Sequence, residues 1–153
     1  MQKKIILTRE GLEKLKAELK KLKEETRHEV AIRIKEAKEF GDLSENSEYE
    51  AAKNQQAFTE GKIAELEYII KNATIKEKNS NTGSVDIGST VHVEVEGGAE
   101  RFKIVGAHEA DPINGMISYE SPIGMALIGK KTGEEVEVTV PAGVIRYKIT
   151  NIE

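Results

Sequence analysis

Two acidic residues, Asp42 and Glu45, lie three positions apart in a polar stretch between two long helical patterns. Carboxylate oxygens suit Mg2+, but this ion takes about six oxygen ligands and keeps several waters. Two carboxylates alone would bind it weakly, so a partner would have to supply the other ligands. The same spacing also fits a capping box at the start of the second helix, where acidic residues suit the helix dipole. Two interpretations therefore stay open for this pair, a helix cap and part of a shared metal site.

The surroundings of the acidic pair are more polar than a turn requires. Leu43, which we expect to be exposed, is accompanied by four further polar side chains, Ser44, Asn46, Ser47 and Glu48. Such a cluster at the end of a rod is suited to insertion into a partner.

Three lysines flank this stretch: Lys35, Lys38 and Lys53. By default they belong to a solvated helix face and pair with acidic residues four positions away, such as Glu39. The alternative is a positive flank for RNA phosphate. The lysines alone do not decide between the two.

Two runs of inward-facing positions surround the acidic stretch, and each alternates steps of three and four residues as packed helices do. The first run is Leu12, Leu15, Leu19, Leu22, Thr26, Val30, Arg33 and Ala37, with one four-four step at Thr26. The second run is Tyr49, Ala52, Gln56, Thr59, Ile63, Leu66, Ile70 and Ala73. Partners such as Leu19 with Leu66 and Leu22 with Ile63 have residue numbers that add up to the same value, 85. This mirror relation predicts an antiparallel helical hairpin.

The predicted hairpin is a rod that turns between Asp42 and Leu43. Two helices of about 30 residues would be roughly 45 Å long at 1.5 Å per residue. Gly41 stands where a helix end needs a residue able to adopt a left-handed conformation. The rod would therefore hold the acidic pair at its far end.

The period of the pattern changes near residue 76, and we predict three parts. A coiled-coil hairpin covers 1–76, a polar linker 77–84 and a second domain 85–153. At the base of the hairpin Thr8 is predicted to cap the first helix, although Gly11 replaces the glutamate of a capping box.

The second domain alternates apolar and polar residues between turn residues, as strands do. It is predicted to contain a hairpin of 90–96 with 101–105, a strand at 116–119, a short helix at 121–129 and a hairpin of 135–140 with 144–152. We therefore expect an α+β protein with a helical hairpin followed by a small antiparallel sheet and one short helix.

Composition argues against several classes of function. The net charge of −4 divides into +1 over 1–76, from 16 Lys and Arg against 15 Asp and Glu, and −5 over 77–153, from 7 against 12. Neither half has the charge of a basic nucleic-acid-binding domain. The chain has no cysteine, and its three histidines, His28, His92 and His108, lack metal-ligand spacing.

Catalytic and membrane motifs are also missing. Without a Gly-rich phosphate loop or a nucleophile elbow, a self-contained enzyme is not expected. The N-terminus has no apolar run long enough for a signal peptide or a membrane span. We expect a cytoplasmic protein with no membrane partner.

Two motifs carry a resemblance to a known family. The run from Gly41 to Tyr49, followed by Ala51-Ala52 and Gln55-Gln56, resembles the first signature of the GreA/GreB family of bacterial transcript-cleavage factors. The run from Ser118 to Gly129, followed by Gly133-Glu134, resembles the second. Both motifs stand in the right order over the full chain.

This resemblance implies a coiled coil that enters the secondary channel of RNA polymerase and a C-terminal domain similar to the FKBP fold. The C-terminal domain would dock on the polymerase, with Ser121, Pro122 and Ile123 as docking residues. The protein would be a monomer and a transcription elongation factor, not an enzyme. It would stimulate the polymerase's own cleavage of the RNA 3′ end in backtracked or arrested complexes.

The resemblance also implies roles for the tip. Asp42 and Glu45 would act in trans at the polymerase active site, where they would help hold Mg2+ that the free protein does not bind stably. The residues near the nascent RNA 3′ end would be Leu43, Ser44, Lys38 and Lys53. Lys53 stands where family members can carry arginine, and it lacks the planar fork that suits phosphate.

Two other functions are compatible with parts of the sequence. A channel-binding inhibitor of the anti-Gre type would share the shape, but the tip keeps the Asp-Leu-Ser-Glu-Asn pattern that the resemblance associates with cleavage. An FKBP-type isomerase is disfavoured because the second domain offers only Phe102, Tyr119 and Tyr147 to line a proline pocket.

Overall fold

The computed structural model describes residues 4–42, 45–77 and 83–153. Contacts group the chain into two compact units, one of residues 13–72 and one of residues 1–12 with 73–153. The sequence assigns the first twelve residues to the hairpin instead. Strand β1 (Ile5–Leu7) pairs in parallel with β2 (Ala73–Ile75), which accounts for the grouping. The predicted linker falls largely on residues 78–82, outside the described residues, and stays a prediction.

The unit of residues 13–72 is a helical hairpin. Helix α1 (Arg9–Lys21) continues through a π-helical turn (Leu22–Thr26) into α2 (Arg27–Lys38), and α3 (Ser47–Asn72) returns. Polar pairs that cross between the helices are Lys23 with Glu67, Arg27 with Glu60 and Arg33 with Gln55. The residue numbers fall along α3 as they rise along the first helices, which confirms the antiparallel arrangement.

The inward face of α2 follows the predicted seam at Val30 and Ala37, which are both buried, and departs from it at one position. There apolar Ile34 is buried, whereas Arg33 is only half-buried. The guanidinium of Arg33 stays near the surface and contacts Gln55 and Glu48. A π turn holds more residues per turn than an α-helix, so the spacing of inward positions lengthens by one residue across it. The four-four step at Thr26 falls at the end of this turn. On α3 the sequence places Ile70 on the seam, and the structure buries Ile69 more deeply.

The other unit is built on a five-stranded sheet with the order β5-β4-β3-β7-β6. Its strands are β3 (Thr90–Val95), β4 (Gly98–Val105), β5 (Met116–Ser118), β6 (Glu135–Val140) and β7 (Gly143–Ile152), and helix α4 (Pro122–Leu127) lies between β5 and β6 in the chain.

The α+β class is confirmed, but the sheet is mixed and not purely antiparallel. Strands β4 and β5 run parallel, while the other neighbours are antiparallel. The connection between β4 and β5 contains two short 3-10 turns, Ala107–Glu109 and Pro112–Asn114, and brings the chain back to Lys103, beside which Met116 begins β5. That return makes the parallel pairing possible.

Alternate strand residues form the core of this unit. Ten buried side chains make one cluster: Val85, Ile87, Val91, Val93, Ile104, Leu127, Val136, Val138, Tyr147 and Ile149. Phe102 meets Tyr147 edge to face with ring centroids 5.8 Å apart, and Tyr119 also packs against the cluster. Burial raises the pKa of Tyr147, with a smaller contribution from the charge of Glu100. The three aromatic residues thus belong to the core or its edge.

Candidate functional site

The turn between α2 and α3 carries the acidic pair. Gly41 has a positive φ of 123°, as predicted for the residue that ends the first helix. The backbone N–H of Glu45 donates to the carbonyl oxygen of Asp42 at 3.4 Å, and both residues are exposed. Leu43 and Ser44 lie outside the described residues, so their predicted place near RNA stays a prediction.

Asn46 is the residue that caps α3. Its Oδ1 accepts a hydrogen bond from the backbone N–H of Tyr49 at 3.1 Å, the geometry of a helix N-cap. Its Nδ2 donates to the carbonyl oxygen of Ala37 at 2.6 Å, near the end of α2. One side chain therefore caps one helix and joins it to the other.

The predicted capping box of Asp42 and Glu45 is wrong. Such a box would begin the helix directly after Asp42, whereas α3 begins at Ser47 with Asn46 before it. Asparagine is among the most favoured N-cap residues, so the residue type at position 46 favours this cap. The N-cap of α3 is therefore Asn46 and not Asp42.

The basic residues near the turn differ in their contacts. Lys38 is exposed as the last residue of α2. Lys53 is exposed on α3, and its Nζ donates to Oε1 of Gln56 at 2.9 Å. Arg33 donates to Oε1 of Gln55 at 2.6 Å and lies 3.5 Å from a carboxylate oxygen of Glu48. The acidic turn thus has cations on both helices behind it.

The donor set of the turn suits part of a magnesium site. Asp42 and Glu45 provide carboxylate oxygens, the hard ligands that Mg2+ prefers. Among the described residues, no three or more His, Cys, Asp or Glu side chains come together as metal ligands. The residues fit a site completed by another molecule, and not a magnesium cage of this chain's own.

A second candidate surface surrounds the start of α4. The hydroxyl of Ser121 accepts from the N–H of Gly124 at 3.1 Å and donates to the carbonyl oxygen of Ser118 at 2.7 Å. Ile123 packs against the core cluster. Of the three predicted docking residues only Pro122 is exposed, and the sequence did not single out Met125, whose side chain is 64% exposed three residues further on.

Comparison with known proteins identifies the family. A family model described as "Transcription elongation factor, N-terminal" matches residues 5–75, and one described as "Transcription elongation factor, GreA/GreB, C-term" matches residues 79–153. The chain belongs to the GreA/GreB family of transcription elongation factors. The predicted resemblance is thereby confirmed over both units.

Curated relatives match this GreA/GreB family member along its whole length. It is 56% identical to the transcription elongation factor GreA of Caldanaerobacter subterraneus, with 99% of each chain covered. It is 55% identical to GreA of Acetivibrio thermocellus, with 98% of this chain and 96% of the relative covered. Among solved structures it is similar to the transcription factor Gfh1, at 30% identity and a TM-score of 0.48 over 100% of this chain and 99% of that one.

Across the ranges that the structure describes, no helix combines the length and the apolar character needed to cross a bilayer.

Proposed function

We propose that this elongation factor stimulates cleavage of the RNA 3′ end by the RNA polymerase to which it binds in backtracked or arrested complexes. One observation carries the proposal: two exposed carboxylates occupy a turn in which Asn46 already caps the helix. With the cap of α3 supplied by Asn46, Asp42 and Glu45 would act at a partner's active site. The protein is then a cofactor of the polymerase, and the polymerase is the catalyst.

Asp42 and Glu45 would contribute oxygen ligands to a Mg2+ ion held mainly by the polymerase. When bound, such an ion lowers the pKa of water and stabilises the charge that develops on phosphate oxygens. The chain's own task is to bring two negative charges to that place at the end of a hairpin.

The other predicted residues have supporting roles in this proposal. Exposed Lys38 and Lys53 would neutralise part of the RNA phosphate charge, with Leu43 and Ser44 close to the RNA 3′ end. The polymerase would be held by the exposed surface at the start of α4, with Pro122 in direct contact. Ser121 and Ile123 would keep that surface in shape. The protein would act as a monomer in the cytoplasm.

The test is RNA 3′ cleavage in a stalled, backtracked complex with the double variant Asp42→Asn, Glu45→Gln. These nearly isosteric changes remove both charges, and we expect cleavage to fall by about 100-fold or more while polymerase binding, measured by competition with the wild-type protein, stays near normal. Extra Mg2+ should partly restore either single variant but not the double variant. The matched control is Glu50→Gln, an exposed carboxylate in the first turn of α3.

Near-normal cleavage by the double variant would contradict the proposed role of the carboxylates. A wild-type protein that binds the polymerase and slows it without any cleavage would instead identify a channel-binding inhibitor. If a competitor displaces the protein from the polymerase and the rate of RNA cleavage stays the same, both functions are contradicted.

A further inference from the structure

The first turn of α1 is capped in an unusual way. The hydroxyl oxygen of Thr8 accepts from the N–H of Gly11 at 3.0 Å, as an N-cap residue should. In a capping box, the side chain at position 11 would form the reciprocal hydrogen bond and accept from the backbone N–H of Thr8. That position is glycine, so the chain cannot form the box locally.

Glu109 takes the place of the missing glutamate from 101 residues away. Its Oε2 accepts from the N–H of Thr8 at 2.9 Å and from the N–H of Gly106 at 3.0 Å, and the Thr8 hydroxyl donates to its Oε1. Thr8 is buried and Glu109 is half-buried. Charged acceptors make the stronger hydrogen bonds, so three bonds to one carboxylate form a firm attachment.

Two glycines leave the space that this attachment needs. A Cβ at Gly11 would overlap the carboxylate of Glu109, and a Cβ at Gly106 would overlap the backbone oxygen of Ile6. Neither glycine has a positive φ, so backbone conformation does not require glycine at either position. Glycine is needed at both positions because neighbouring atoms lie too close to leave room for a Cβ.

Ion pairs hold the same helical turn. Lys103 Nζ lies 2.8 Å from a carboxylate oxygen of Glu10, and Arg9 pairs with Glu77 at 2.5 Å. Both pairs are exposed and contribute little on their own. Thr8, Gly11 and Glu109 all lie within the unit that contains the sheet, and α1 continues from there into the hairpin.

We propose that Glu109 is a positioning residue for the function proposed above, on which this inference rests. It fixes the start of α1, the element through which the acidic turn is connected to the sheet unit. In a rod of roughly 45 Å, a tilt of about 5° at one end displaces the other by roughly 4 Å. Displacements of about 1 Å at a reacting centre can cost about 100-fold in rate, so a loose first turn would cost activity at the tip.

The first test does not depend on cleavage. The chain has no cysteine, so spin labels can be placed at Ala57→Cys on α3 and Lys130→Cys in the sheet unit, both exposed positions. We expect Glu109→Gln to broaden the distribution of label-to-label distances, while the exposed control Glu135→Gln leaves its width unchanged. Equal widths in all three proteins would overturn the inference.

A second measurement guards against a variant that simply folds badly. Gly11→Ala should lower Tm in the wild-type background, because its Cβ displaces the carboxylate. In the Glu109→Ala background the same change should raise Tm, because alanine favours the helix over glycine. A change of the same sign and size in both backgrounds would contradict the attachment.

The third measurement is the cleavage rate as a function of factor concentration. Glu109→Gln should lower the cleavage rate at saturation by about ten-fold, because the acidic turn is then positioned less precisely. The half-saturating concentration should not change, because the substitution leaves the polymerase-docking surface intact. Thr8→Ser keeps both hydrogen-bonding groups and should behave like the wild type. If the wild-type protein gives no cleavage, the proposed function fails, whereas the label widths still decide the role of Glu109.

Discussion

Asn46 links the two helices of the hairpin through Ala37, whose carbonyl oxygen accepts from Nδ2 at 2.6 Å, while Oδ1 of the same side chain caps α3 through Tyr49. The acceptor and the donor of one amide are thus used on different helices. Asp42 and Glu45 lie between these two attachment points. The position of the acidic pair therefore depends on a neutral neighbour.

Two substitutions of Asn46 should separate its contribution to the stability of the protein from its effect on the position of the acidic turn. Asn46→Ala removes both bonds, and we expect a loss of about 1–2 kcal/mol in the free energy of unfolding. Asn46→Asp keeps the cap acceptor but loses the donor to Ala37, so it should be more stable than Asn46→Ala yet still cleave poorly. Urea denaturation and RNA cleavage are the measurements, with the exposed Asn54→Ala as control. Full cleavage by Asn46→Asp would show that the bond to Ala37 does not position the tip.

The inward face of α2 predicts unequal effects for two isoleucines. Ile34 is 9% exposed and clusters with Val30 and Ala52, whereas Ile32 on the same helix is 43% exposed. Ile34→Ala should lower the free energy of unfolding by about 2–5 kcal/mol. Ile32→Ala should cost roughly 1 kcal/mol or less. Equal losses in urea denaturation would contradict the inward position of Ile34 on α2.

The exposed start of α4 should affect binding and not the rate at saturation. Pro122→Ala with Met125→Ala removes apolar surface from this helix, and we expect the half-saturating concentration for cleavage to rise several-fold. Thermal stability should change little because both side chains are exposed. Val144→Ala, another exposed apolar position of the same unit, is the control. An unchanged half-saturating concentration would show that the polymerase does not dock on the start of α4.

Acid stability should depend on one cross-helix pair. Arg27 donates to both carboxylate oxygens of Glu60, at 2.9 and 2.7 Å, and holds the pKa of that carboxyl below its ordinary value of 4.5. A lowered pKa in the folded state adds stability above about pH 4.5, and this contribution is lost as the pH falls through the lower, folded value. The stability advantage of the wild type over Glu60→Gln should therefore shrink on acidification. Urea midpoints between about pH 6 and pH 3 measure it, and a difference that stays constant across this range would contradict the contribution of the pair.

Periodicity in the sequence by itself determined the two architectural parts. Steps of three and four residues predicted the hairpin and its antiparallel course. Alternation predicted β3, β4, β6 and β7, although β4 begins three residues before its predicted start. Both patterns reflect the spacing of the side chains that face the core, and this spacing is set by the local geometry of a helix or a strand. The two motifs also predicted the family and placed the acidic pair at the turn.

Only the tertiary structure decided which groups hold that turn and the base of the hairpin. Spacing left a capping box of Asp42 and Glu45 open, whereas in the structure Asn46 caps α3 through Tyr49 and also bonds to Ala37 near the end of α2. The partner of Thr8 lies 101 residues away, where no local pattern points to it. A hydrogen bond forms with whatever donor or acceptor lies within about 3 Å, and the fold determines that neighbour irrespective of its distance along the chain.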